Sequence, residues 1–125
     1  MASILSIGAN KKALAQRHRM LREAGFHVVS AGPDESLASL AGDDRFGVAI
    51  FGPFVPEAER NKTAARLIRA CPHIKIIMLY GDMIRKAELA DAVLSDRVSP
   101  ADLAQTVHYL LEKRQLDRRG RGRSA

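Results

Sequence analysis

The chain has 125 residues, 46% of them apolar, and a net charge of +6. That length suits one domain with a single core, and no apolar run approaches the ~20 residues that cross a bilayer. A single cysteine, Cys71, excludes an intramolecular disulfide, and the scarcity of aromatics argues against a base-stacking platform.

The charge is unevenly spread. Residues 114–125 carry five arginines and one aspartate, so +4 of the +6 belongs to the tail. The body is close to neutral. No basic segment followed by a signal-like apolar block opens the chain, and the lone thiol fits a reducing compartment, so a cytoplasmic location is expected.

In chain order, Ser3–Ile7 reads as a strand that stops at Gly8-Ala9-Asn10. Lys11 to Ala24 follows as a helix with Leu14, Leu21 and Ala24 on its apolar side, ended by Gly25. Phe26–Ser30 reads as a second strand. Asp34 is placed to cap a short helix reaching about Leu40. Val48-Ala49-Ile50-Phe51 is a short apolar run closed by Gly52-Pro53, the pattern of a strand buried on both faces.

The spacing then predicts a helix from Glu57 to Ala70, with Ala64, Leu67, Ile68 and Cys71 inward and Pro72 as its stop. Ile74–Tyr80 is a fourth strand, Met83–Ala90 a helix, and Ala92–Ser95 a shorter edge strand. Ser99-Pro100-Ala101-Asp102 announces a last helix whose stripe is Leu103, Val107, Leu110 and Leu111. Its turns are expected to end near Arg114, giving a folded unit over 1–114 and a disordered arginine/glycine tail over 115–125. Five strands alternating with five helices predict a three-layer α/β domain with a parallel sheet ordered 2-1-3-4-5.

REAGFHVVSA, FGVAIFGPFVP, IKIIMLYG and ADAVLSDRVSPADLAQTVHYLL, in that order and spacing, make residues 3–114 resemble a CheY-like response-regulator receiver domain of the flavodoxin-like class. That resemblance implies a two-component phosphorelay, with phosphoryl transfer from a histidine kinase to an aspartate beside Mg²⁺ and a lysine. Carried over one at a time, the family's acidic pair falls on Gly8 and Ala9 and its phosphoacceptor on Gly52. Its hydroxyl residue and the small residue after it fall on Tyr80 and Gly81, its lysine on Asp96, and its switch aromatic on Val93. None of these side chains can do the family's chemistry. The expectation is a degenerate, stand-alone pseudo-receiver that is no enzyme, takes no cofactor or metal, and acts by protein–protein contact.

In the family, partners dock on the surface of the fourth helix, fifth strand and fifth helix. Here that surface corresponds to Arg85, Lys86, Glu88, Asp91, Asp96, Arg97, Asp102 and Tyr109. A histidine kinase, a regulator or effector, or a second copy forming a homodimer would be the partner; no membrane is implied. Two alternatives stand beside this. Arg118, Arg119, Arg121 and Arg123 resemble a short nucleic-acid tail, supported by a basic first helix carrying Lys11, Lys12, Arg17, His18, Arg19 and Arg22. The glycines Gly8, Gly52 and Gly81 could instead leave a pocket for a small ligand, covered by Tyr80. His18, His27, His73 and His108 lie on separate elements without metal-ligand spacing.

Overall fold

A computed structural model describes residues 2–33, 45–81 and 87–123. Its elements are β1 (Ser3–Ile7), α1 (Lys11–Glu23), β2 (Val28–Ala31), β3 (Phe46–Phe51), α2 (Glu57–Ala70), β4 (Lys75–Tyr80), β5 (Ala92–Ser95) and α3 (Pro100–Arg123). The strands form one parallel sheet in the order β2-β1-β3-β4-β5, as the alternating pattern predicts. β1 and β3 are buried along their whole length, while the edge strand β5 is half-buried. The continuous apolar runs follow from this: a central strand covered on both faces has no solvent side on which to place polar residues.

Two apolar layers flank the sheet. Leu5, Ile7, Phe51 and Met78 pack with Ala64 and Leu67 of α2 on one face. Ile4, Ile50, Ile77 and Leu79 pack with Leu21 of α1 and Leu103, Val107 and Leu110 of α3 on the other. Gly47 lets Leu111 of α3 come close to the sheet. A Cβ there would lie 2.5 Å from Leu111 Cδ2 and 2.9 Å from the Ala2 Cβ.

The helix ends are written locally. Asn10 caps α1, its side-chain oxygen accepting the Ala13 N–H at 3.0 Å. Gly25 closes it at φ 96°, with its N–H on the Arg22 carbonyl and the Phe26 N–H on that of Leu21. That pair of bonds is a Schellman turn, which needs the left-handed conformation glycine adopts without penalty. Ser99 caps α3 through the Asp102 N–H at 3.1 Å, one residue before the predicted Pro100 start.

Three expectations are corrected, and a fourth falls outside the described residues. β2 begins at Val28 rather than Phe26; Phe26 completes the α1 turn and stacks on His108 with ring centroids 4.7 Å apart. The predicted helix over 83–90 lies partly outside the described residues, and its remainder is a turn closed by Ala90 N–H on the Ala87 carbonyl. The short helix over 34–40 lies outside them altogether. The last helix does not stop at Arg114 but continues to Arg123. Gln115-Leu116-Asp117-Arg118-Arg119 contains no strong breaker, and a glycine costs a helix only about 1 kcal/mol relative to alanine. Lys75 at the start of β4 pairs with Asp117, anchoring the extension to the sheet.

Candidate functional site

In open parallel sheets, ligand chemistry gathers beyond the carboxyl ends of the strands. Here those ends are tied together by backbone bonds. The Gly52 N–H donates to the Ile7 carbonyl at 2.8 Å, Gly8 N–H to Ala31 at 3.2 Å, and Asp96 N–H to Tyr80 at 2.8 Å. Gly8, Gly52, Gly81 and Asp96 therefore converge on one edge, as their order in the sequence implies. A Cβ on Gly81 would stand 3.8 Å from an Asp96 carboxylate oxygen.

The space beside Gly8 and Gly52 is filled. Arg17 of α1, only 8% exposed, lays its guanidinium across the ends of β1 and β3. Its Nε donates to Ser6 Oγ at 2.9 Å and its Nη2 to the Ile7 carbonyl at 3.1 Å. A Cβ on Gly8 would stand 3.1 Å from Nη2, and one on Gly52 would stand 3.0 Å from the same atom. With no side chain at either position, the two glycines leave room for that cation. No carboxylate among the described residues forms an ion pair with it, and burial pulls its pKa down from the ordinary arginine value to about 10.

Arg17 belongs to the basic surface expected for α1, yet it is in the core. Arg60 of α2, 3% exposed, is also in the core, and its Nε donates to the Val55 carbonyl at 2.8 Å. Its guanidinium stacks 4.5 Å from the centre of the Tyr80 ring. Helical spacing carried a signal for both. Arg17 stands three residues after Leu14 and four before Leu21, and Arg60 stands four before Ala64, so each occupies an inward position of its helix.

Tyr80 lies on the α2 face of the sheet, its hydroxyl reaching Met78 Sδ at 3.8 Å. It is thus separated by the sheet from Arg17, whose partner Ser6 sits on the α1 face beside Ile4. Next to Arg17 is a cavity of about 230 Å³ walled by Met20, Phe54, Leu79 and Leu103, with Arg17 and Asp96 as its charged groups. Phe54, 61% exposed, stands at its lip.

Of the expected docking residues, Arg85 and Lys86 lie outside the described segments. Glu88, Asp91, Asp96, Arg97, Asp102 and Tyr109 are all exposed. Two of them also work locally. Asp91 accepts the Ile76 N–H at 2.8 Å, joining β5 to β4, and the Asp102 carbonyl accepts the Thr106 hydroxyl at 2.9 Å. Tyr109 is 57% exposed on α3, with the Lys113 ammonium 5.8 Å from its ring centre. Arg118 and Arg119 project from the last turns of α3.

Cys71 is buried, and His18 is held by Ser30 Oγ at 2.7 Å. Among the described residues no group of three or more histidines, cysteines or acids could hold a metal, and no helix is long and apolar enough to cross a membrane.

No protein-family model and no curated protein matches the chain. Solved structures do. A CheY-like response regulator receiver domain protein from Methanospirillum hungatei superposes with a TM-score of 0.77 at 23% identity, covering 94% of this chain and 98% of that one. A receiver domain from Clostridium thermocellum gives 0.77 at 20% identity, covering 93% and 98%. A structure described as adenylate cyclase from Rhodopirellula baltica gives 0.79 at 16%, covering 96% and 94%. With its five parallel strands in the order β2-β1-β3-β4-β5, the chain has the fold of the CheY-like response regulator receiver domains.

Proposed function

We propose that this chain is a receiver-like signalling module that accepts no phosphoryl group and acts through protein–protein contact. One observation carries the reading: the Arg17 guanidinium sits against Gly8 and Gly52, where phosphorylation would require carboxylates. Mg²⁺ needs oxygen ligands and a phosphoacceptor needs a carboxylate, and a buried cation repels the first and replaces the second. Asp96 adds a negative charge where a phosphoryl group would need a positive one. Partner availability then takes the place of phosphorylation as the switch, with Arg97, Asp102 and Tyr109 forming the contact surface.

The test has two arms. Incubation with Mg²⁺ and acetyl phosphate should leave the intact mass unchanged; a phosphoryl adduct on the folded protein would refute the reading. In capture from nuclease-treated lysate, a protein retained by wild type and lost by both Arg97→Glu and Tyr109→Glu would support it.

A second reading has one observation in its favour. α1 and α3 cover the same face of the sheet, so the exposed Lys11, Lys12, Arg19 and Arg22 share it with the helix bearing Arg118 and Arg119. Binding to mixed-sequence nucleic acid that weakens steeply with salt and disappears on charge reversal at Arg118 and Arg119 would favour that role.

A further inference from the structure

The cavity beside Arg17 combines features that the signalling reading does not use. Arg17 spends its Nε and Nη2 on neutral acceptors, Ser6 and Ile7, and its Nη1 has no hydrogen bond among the described residues. A buried cation held only by neutral groups costs stability, and such a cost persists most readily where the charge has a use. The guanidinium plane matches the two oxygens of a carboxylate. Around it, Met20, Leu79 and Leu103 give an apolar wall, and Phe54 offers a ring face at the opening. Asp96 lines the same space without pairing with Arg17. It repels a doubly charged anion such as a phosphate monoester, and it accepts a hydrogen bond from a donor at the far end of a ligand. At about 230 Å³ the cavity is smaller than the ~300–1,000 Å³ pockets that take drug-sized molecules, too small for a nucleotide.

We propose that this cavity binds a small organic monocarboxylate with a flat apolar body and a hydrogen-bond donor opposite the carboxylate. Arg17 holds the carboxylate, the apolar wall and Phe54 sandwich the body, and Asp96 receives the donor. The site stands whether or not the domain signals by protein contact, because neither Arg97 nor Tyr109 contributes to it.

The test uses full-length, isotope-labelled protein and 4-hydroxybenzoate as the probe, followed by amide chemical shifts. Saturable shifts are expected at Ala13, Gln16 and Val98, at roughly millimolar concentration for a ligand of this size. 4-Hydroxybenzamide and phenyl phosphate should bind about tenfold more weakly or worse, the first lacking the charge and the second carrying too much. Arg17→Met should weaken the probe at least about tenfold by removing its anchor. Val98→Trp, at a half-buried wall position away from the guanidinium, should block the cavity while leaving Arg17 intact, and decides the matter should the first variant fold poorly. Absence of saturable shifts with 4-hydroxybenzoate, equal binding of the amide, or undiminished binding to folded Val98→Trp would each overturn the proposal.

Discussion

Replacing Arg17 with methionine should make the protein more stable at neutral pH, although it removes two hydrogen bonds from the core. The guanidinium is held below its ordinary pKa, at about 10, because burial disfavours its charged form. A difference of that size corresponds to a penalty on the order of 3 kcal/mol at neutral pH. The sign follows from proton counts. Between about pH 10 and the ordinary arginine value the unfolded chain holds the proton that the folded one has lost, so this group's contribution rises with pH there. Below about 10 both states are charged and the folded state carries the whole penalty.

Against that gain stand the bonds to Ser6 and Ile7. The Ile7 carbonyl keeps the Gly52 N–H at 2.8 Å, so only the Ser6 hydroxyl is orphaned, at about 1–2 kcal/mol. Methionine is flexible enough to occupy most of the vacated length. The net expectation is about 1 kcal/mol of added stability, which with a urea slope of ~1–3 kcal/mol per molar raises the midpoint by roughly half a molar. Urea unfolding followed by circular dichroism at neutral pH measures it. A midpoint equal to or below wild type would mean that the cation is compensated in the folded state, and the reasoning about Arg17 would be wrong.

Gly47→Ala should destabilise the fold by about 1–3 kcal/mol, because the new methyl overlaps Leu111 and Ala2; the companion change Leu111→Ala should return part of that loss in the same urea assay. Gly52→Asp should not restore phosphorylation by acetyl phosphate, since the new carboxylate would stand within reach of Arg17 and pair with it. An acid-labile adduct on that variant would contradict this. The Asp117 carboxylate is held below its ordinary pKa, first by its hydrogen bond with Lys75 and then by that ammonium's charge. Its tie is therefore complete above the unfolded carboxylate value and is lost as pH falls through the lower folded one. Hydrogen exchange over residues 115–118 should accelerate on acidification, and Asp117→Asn should remove that dependence; exchange that is unchanged in the variant would show that the pair does not hold the helix extension.

Much of the architecture was legible in the residues. β3 and β4 announced themselves as apolar runs because both their faces are covered, and α1 and α3 were marked by Gly25, Ser99 and Pro100, whose chemistry is local. The convergence of Gly8, Gly52, Gly81 and Asp96 at one sheet edge followed from the alternation of elements. The end of α3 was less legible, because its anchor is an ion pair between residues 75 and 117, which no local pattern reveals.

By itself, then, the sequence determined the layered parallel fold and that glycines stand at its edge, since apolar periodicity, caps and strand order act over short distances. Only the tertiary structure decided what fills that edge. Whether an arginine on a basic helix faces water or the core depends on what the facing strands leave open, and at Gly8 and Gly52 they leave room for a guanidinium. Arg17 found acceptors there in Ser6 and Ile7, just as Arg60 found one in Val55 and a ring face in Tyr80. A cation's burial is set by such non-local partners, so Arg17, which read as part of a basic helix surface, became part of the core.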